Sequence, residues 1–288
     1  MARVTAVPRS DVVVTLHDGR SLAYAEWGDS AGRPVVLFHG TPGSRLLCPD
    51  EDATASAGVR LVTIDRPGYG RSDPHPNHSL LTWADDYAEL HDLLGLPPCP
   101  IVGWSGGGPY ALACAVRAPA LVSSVGLAAS SAPAEVMDEE GWADERRLAD
   151  LLRLDRAAGV DALTQRYQGY ADDPASIFAS WDDPNDPDVR LLTLPDVNEA
   201  MVEMVREGAR QGSTGAVADD IALLEPWGFS AAEVRQDVGV WLGSENSVCR
   251  SDADYFAATI SRAMLVIYPG EGHLVPLPRW AEMLAWLH

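Results

Sequence analysis

The chain has 288 residues and a formal net charge of −21, from 42 acidic against 21 basic side chains, and 47% of it is hydrophobic. That charge repels nucleic acid and anionic membrane surfaces and disfavours a polyanionic substrate, so neither nucleic acid nor a membrane is expected as a partner. Every basic residue is Arg; with no Lys in the chain, Schiff-base chemistry and a P-loop are excluded.

The length suits one α/β core carrying an insertion. Residues 11–16 and 21–27 alternate apolar and polar side chains around His17-Asp18-Gly19-Arg20, which predicts an N-terminal β-hairpin. Pro34-Val35-Val36-Leu37-Phe38 reads as a buried strand ending in His39-Gly40-Thr41-Pro42-Gly43. A loop of this type after such a strand supplies one donor of an oxyanion hole, the other being the amide that follows the nucleophile. The donors would be the N–H groups of Thr41 and Gly106, because Pro42 has none. His39 is expected to shape the loop by hydrogen bonding.

Residues 59–64 read as the next strand, followed by Asp65-Arg66-Pro67-Gly68-Tyr69-Gly70-Arg71-Ser72-Asp73, and residues 83–94 as a helix. Cys99-Pro100-Ile101-Val102 closes a short buried strand, and residues 106–117 read as a helix with small residues in its first turn. Between them stands Gly103-Trp104-Ser105-Gly106-Gly107. A G-x-S-x-G on a strand-to-helix turn is a nucleophile elbow, with the serine at a strained corner and its hydroxyl above the sheet. Gly106 to Ala111 also matches a dinucleotide fingerprint. That fingerprint needs an acidic residue about twenty positions on, and Leu127-Ala128-Ala129-Ser130-Ser131 has none, so no nicotinamide cofactor is expected.

From about residue 133 to 225 the strand signals stop. Residues 139–158 carry apolar side chains at helical spacing, Met201, Val202, Met204 and Val205 suggest a further helix, and residues 171–188 read as loops and short turns. Strands return at residues 238–242 and 264–268, the last followed by Pro269-Gly270-Glu271-Gly272-His273-Leu274. No HExxH or CxxC pattern supports metal catalysis. Cys48, Cys99, Cys114 and Cys249 are scattered, and residues 1–10 lack an apolar core, so a reduced, cytoplasmic protein is expected.

The loops HGTPG, DRPGYGRSD, GWSGGG and GEGH, in this order, resemble those of the α/β-hydrolase family, from about residue 12 to the C-terminus and most weakly in the middle third. The resemblance implies a mostly parallel sheet flanked by helices, with Ser105 as nucleophile and His273 as base. It also implies a helical cap at residues 133–225, inserted between core segments 1–132 and 226–288. Trp104, beside the nucleophile, is then a pocket-wall candidate. The implied activity is serine hydrolysis of a small neutral or apolar ester, lactone or thioester, without a cofactor.

The acid departs from the family. Its usual G-x-x-D turn corresponds here to Gly243-Ser244-Glu245-Asn246, so Asn246 stands at the acid position. An Asn can orient an imidazole but offers no negative charge, and in a serine-protease triad the same exchange lowers turnover by about 10⁴. Glu245, one residue earlier, is one alternative carboxylate. Glu135, just beyond residues 122–129, is a second. The third alternative is a site without an acid: a weak or repurposed hydrolase, or one in which Asp has been exchanged for Asn. On the same ground a non-hydrolytic use stays open, as a lyase, cyclase or ligand-binding scaffold in which His273 moves a proton.

Overall fold

The structure is a computed structural model that describes residues 4–5, 7–137, 141–179, 181–246 and 248–287. Its strands are β1 (Ser10–Thr15), β2 (Ser21–Gly28), β3 (Arg33–Phe38), β4 (Val59–Ile64), β5 (Cys99–Trp104), β6 (Val122–Ala128), β7 (Asp237–Gly243) and β8 (Ala263–Tyr268). They form one sheet in the order β1-β2-β4-β3-β5-β6-β7-β8. The N-terminal hairpin pairs Val12 with Tyr24, and β2 runs antiparallel to β4. From β4 to β8 every pairing is parallel. Parallel strands are covered on both faces, which is why β3 and β5 read as continuous apolar runs rather than alternating ones.

The helices are α1 (Glu51–Ser56), α2 (Leu80–Leu93), α3 (Gly107–Arg117), α4 (Ala143–Leu154), α5 (Arg156–Asp172), α6 (Pro187–Leu192), α7 (Pro195–Gly208), α8 (Thr214–Leu224), α9 (Arg250–Thr259) and α10 (Pro276–Trp286). On one face α2, α3 and α9 bury Trp83, Tyr87, Tyr110 and Phe256 in a cluster with Phe38 and Ile101. Phe38 meets Trp83 and Tyr87 edge-on, at 5.2 and 5.7 Å between ring centres. On the other face α10 packs Trp280, Met283 and Leu284 in a cluster with Trp27, Val35 and Leu37. Each such side chain contributes roughly 1.5–3 kcal/mol relative to exposure.

Helices α4 to α8 lie between β6 and β7. Leu148 and Leu152 of α4 pack with Leu163 and Tyr167 of α5 and with Ala216, Val217 and Leu224 of α8, around Tyr69 from the loop after β4. Helix α7 turns Met201, Met204 and Val205 into the same cluster as Trp104.

The expected helix at 139–158 is divided. Residues 138–140 lie outside the described residues, and Asp155 ends α4 and caps α5, its side chain accepting from the Ala158 amide at 3.1 Å. An Asp in extended backbone favours a helix start over a helix interior. Similarly, α2 begins at Leu80, ahead of the expected 83, because Ser79 and Thr82 form a reciprocal capping box. Helix α8 has no counterpart among the sequence expectations. It buries Asp219 beside Ala216, Val217 and Leu223, and that buried charge masks the apolar period.

Candidate active site

Strand β5 ends at Trp104, and the chain turns at Ser105 into α3. Ser105 has φ +54°, left-handed backbone that a residue with a Cβ rarely adopts. The corner is enforced by contact. A Cβ on Gly103 would stand 2.4 Å from the carbonyl oxygen of Gly107, and one on Gly107 would stand 2.4 Å from that of Phe38. The Ser105 amide donates to Ala128 at 2.9 Å, and its carbonyl accepts from Gly108 at 3.1 Å. Backbone strain held this way is characteristic of functional positions.

The loop after β3 meets this corner. A Cβ on Gly106 would lie 2.5 Å from the Thr41 hydroxyl, and one on Gly40 would lie 3.2 Å from the Ser105 Cβ. Among the described residues neither the Thr41 nor the Gly106 amide donates a hydrogen bond. His39 is buried. Its Nδ1 pairs with the Gly40 carbonyl at 2.7 Å and its Nε2 faces the Arg66 amide at 3.5 Å, so it braces the loop as expected.

His273 follows β8, partly buried and held by side chains from several segments. The indole N–H of Trp104 donates to its carbonyl at 3.1 Å, with the two rings 5.7 Å apart. The Asp188 carboxylate, from α6, accepts from the amides of His273 at 2.6 Å and Leu274 at 2.8 Å. The Nδ1 of the ring faces the Asn246 amide nitrogen at 3.1 Å, and Asn246 Oδ1 accepts from the Cys249 amide at 3.4 Å. The Cys249 thiol, 4.0 Å from the same Nδ1, is pushed up in pKa by burial. Burial lowers the His273 pKa to about 4, with no carboxylate opposing it. The imidazole is therefore neutral over the physiological range.

Ser105, Thr41, Trp104 and His273 line one cavity of about 90 Å³, walled further by Phe178, Trp181, Met201, Met204 and Val205. A second cavity of about 430 Å³ also reaches His273, lined by Trp142 and Trp181 and by Asp182, Asp183, Asp186, Asp188 and Glu245. Among the described residues no group of His, Cys, Asp and Glu side chains is arranged to hold a metal ion.

Among the described residues neither alternative carboxylate hydrogen-bonds the His273 ring, which pairs with Asn246. Glu245 is exposed, accepts from the Ser244 hydroxyl at 2.9 Å and shares the larger cavity with His273. Glu135 is exposed on a turn and lines a separate cavity with Arg146 and Arg153. Sequence reasoning missed Asp188 and Asp219. Both sit in the inserted helices, where acidic residues are common enough to read as solvated surface, yet both are buried. No local pattern marks either; Arg66, fixed by Asp219, was at least inside a recognised loop.

The family description alpha/beta hydrolase fold matches residues 33–279, and the chain belongs to that family. A non-heme chloroperoxidase of Streptomyces lividans is 36% identical over 132 residues, 44% of this chain and 47% of that protein. The chain thus spans about half the length of that curated relative. A bifunctional esterase/perhydrolase of Acinetobacter calcoaceticus is 27% identical over 274 residues, covering 91% of this chain and 93% of the relative. Among solved structures, an esterase from Exiguobacterium antarcticum superposes with a TM-score of 0.67 at 20% identity, over 96% of this chain and 97% of that one. No described helix is long and apolar enough to cross a membrane.

Proposed function

We propose that the protein is a serine hydrolase that cleaves a small neutral or apolar ester, lactone or thioester, with Ser105 as nucleophile and His273 as base. The observation that carries this reading is the shared cavity. A strained serine, a neutral imidazole and Thr41, whose amide is unengaged, border one space whose remaining walls are apolar, and the unengaged Gly106 amide follows the serine directly. The esterase named among its relatives supports the same class.

In this mechanism Ser105 Oγ attacks the carbonyl carbon while its proton passes to His273 Nε2. The tetrahedral oxyanion accepts from the Thr41 and Gly106 amides, donors that strengthen as charge develops. Collapse expels the alcohol or thiol, which takes the proton from His273. A water molecule then gives its proton to His273 and attacks the acyl-enzyme, releasing the acid and returning the proton to Ser105. Trp104 forms one wall of the acyl pocket, and helices α4 to α8, within residues 133–225, act as the cap between core segments 1–132 and 226–288. The four thiols, all buried and free, suit a reducing, cytoplasmic setting.

Asn246 takes the acid position beside His273. For Nε2 to receive a proton, Nδ1 must carry one and donate it to Asn246 Oδ1. With Nδ2 toward the ring instead, Nδ1 accepts and Nε2 is already protonated. An Asp would enforce the first arrangement; an Asn permits both. That same feature favours a second reading, in which the neutral ring donates from Nε2 in a lyase or cyclase and hydrolysis is incidental.

Short-chain nitrophenyl esters and a fluorophosphonate label separate the two. The hydrolase reading expects labelling at Ser105 and a loss of about 10³-fold or more in turnover for Ser105→Ala. Failure of both turnover and labelling in the intact protein overturns it in favour of the proton-transfer reading.

A further inference from the structure

A fully buried ion pair with its hydroxyl partners adjoins the loop after β3, and the mechanism above does not use it. Asp219, on α8, is fully buried, as is Arg66 on the loop after β4. Arg66 Nε donates to Asp219 Oδ2 at 2.9 Å, and its Nη2 donates to the same oxygen. That oxygen also accepts from the Tyr69 hydroxyl at 2.9 Å and the Thr41 hydroxyl at 3.0 Å. Asp219 Oδ1 accepts from the Tyr110 hydroxyl at 2.8 Å and faces His78 Nε2 at 3.2 Å. Burial alone would raise the carboxyl pKa, but Arg66 and these donors hold it well below the usual carboxylate range. It is an anion at every working pH.

The other face of Arg66 grips the loop backbone. Nη1 donates to the His39 carbonyl at 2.6 Å and Nη2 to the Gly40 carbonyl at 3.0 Å. The Gly40 carbonyl and the Thr41 N–H belong to one peptide plane, and in a trans peptide they point in opposite directions. Holding the carbonyl down onto Arg66 therefore turns the Thr41 N–H away from the cluster, and Thr41 itself borders the Ser105 cavity. The hydroxyl of Thr41, tied to Asp219, fixes the same residue from its side chain. Stability alone is a poor reason for such a pair, since apolar replacements of buried ion pairs are often neutral or better.

We propose that Asp219 and Arg66 are positioning residues that aim the Thr41 amide at the oxyanion, so that helix α8 of the insertion completes the oxyanion hole of the core. This rests on the serine-hydrolase reading. It makes the inserted helices part of the transition-state machinery as well as a cover for the substrate.

The test is kinetic, on nitrophenyl esters, with Thr41→Val, Asp219→Asn and a control, Asp220→Asn. Thr41→Val keeps the shape and the amide of residue 41 and leaves the Asp219–Arg66 pair intact, so it reads positioning even where Asp219→Asn is too unstable to purify. Loss of an oxyanion donor costs about 10²–10³ in kcat, and a misaimed one costs less, so about a 10–30-fold fall in kcat with KM within about threefold is expected for Thr41→Val. Affinity for a boronic-acid transition-state analogue falls in parallel. Thr41→Ser, which restores the hydroxyl, recovers most of the loss, and Asp220→Asn, whose side chain bonds Tyr167 and not this loop, leaves kcat unchanged. Folded Asp219→Asn, or Thr41→Val where Asp219→Asn cannot be purified, with unaltered kcat and analogue affinity overturns the positioning role. An intact protein no more active than Ser105→Ala overturns the hydrolase reading and this role with it.

Discussion

Ser105 stands on a turn crowded by backbone contacts, whereas His273 is held by side chains that reach it from three separate segments. On the serine side a Cβ at Gly103 or Gly107 has no room, and Ser105 between them holds a left-handed φ. On the histidine side the restraints are Trp104 on the carbonyl, Asp188 on the amide and Asn246 on the ring. Backbone corners tolerate little variation, but a side-chain contact can be exchanged without refolding the core. The chemistry of the site is therefore best tuned, or spoiled, from the histidine side.

The sharpest way to test this contrast is Asn246→Asp, a single change on the adjustable side. In the proposed mechanism it raises kcat by about a hundredfold, measured on a nitrophenyl ester with Ser105→Ala as blank. It also moves the pH profile. With Asn246, the base is lost only as pH falls through about 4. A carboxylate at 246 stabilises the imidazolium, raises the His273 pKa and shifts the acid limb upward. An acid limb that does not move would show that residue 246 does not couple to the ring.

Next in size is Asp188→Ala, which strips the acceptor from the His273 and Leu274 amides. Two donors left unpaired cost about 3 kcal/mol in stability, read from urea midpoints, and the loosened loop lowers kcat by about tenfold. Stability lost with kcat intact would reduce Asp188 to a packing role.

A smaller effect is expected within the insertion. Burial, with Asp219 next to it, pushes the Asp220 pKa up to about 7, although Tyr167 and Arg166 favour the anion. The folded protein thus binds this proton more tightly than the unfolded chain, whose Asp titrates near 3.8. Between those values stability falls as pH rises, and above about 7 the full cost is present. Asp220→Asn removes the titration, so its melting temperature should change less between pH 5 and pH 8 than that of the parent. An identical pH dependence would assign the effect to other groups.

The smallest expected effects are those of Glu245→Gln and Glu135→Gln, each leaving kcat within about threefold. A tenfold loss in either would bring a carboxylate back to the histidine and break the contrast between the two sides.

What could be read from the chain follows the same division. The hairpin, the alternation of strand and helix and the elbow were legible because they are written in consecutive residues: a period of two, an apolar run, glycines flanking a serine. The histidine loop was legible as a motif, and Asn246, which faces the His273 ring, could be picked out by spacing alone. The boundaries of α4 and α5 were misread because Asp155, one charge among many, is the cap that separates them. Asp188 and Asp219 were invisible for a stronger reason. In the inserted helices they resemble solvated acids, and only the folded chain shows Asp188 beneath the histidine loop and Asp219 on Arg66.

The sequence by itself therefore determined the family, the serine corner and the candidate base, because close backbone approach and strand burial act over a few neighbouring residues. Only the tertiary structure decided which carboxylates are buried and what each one holds. A carboxylate loses its water only when distant segments converge on it, and its partners then lie as far as 178 residues away, as Asp219 does from Thr41.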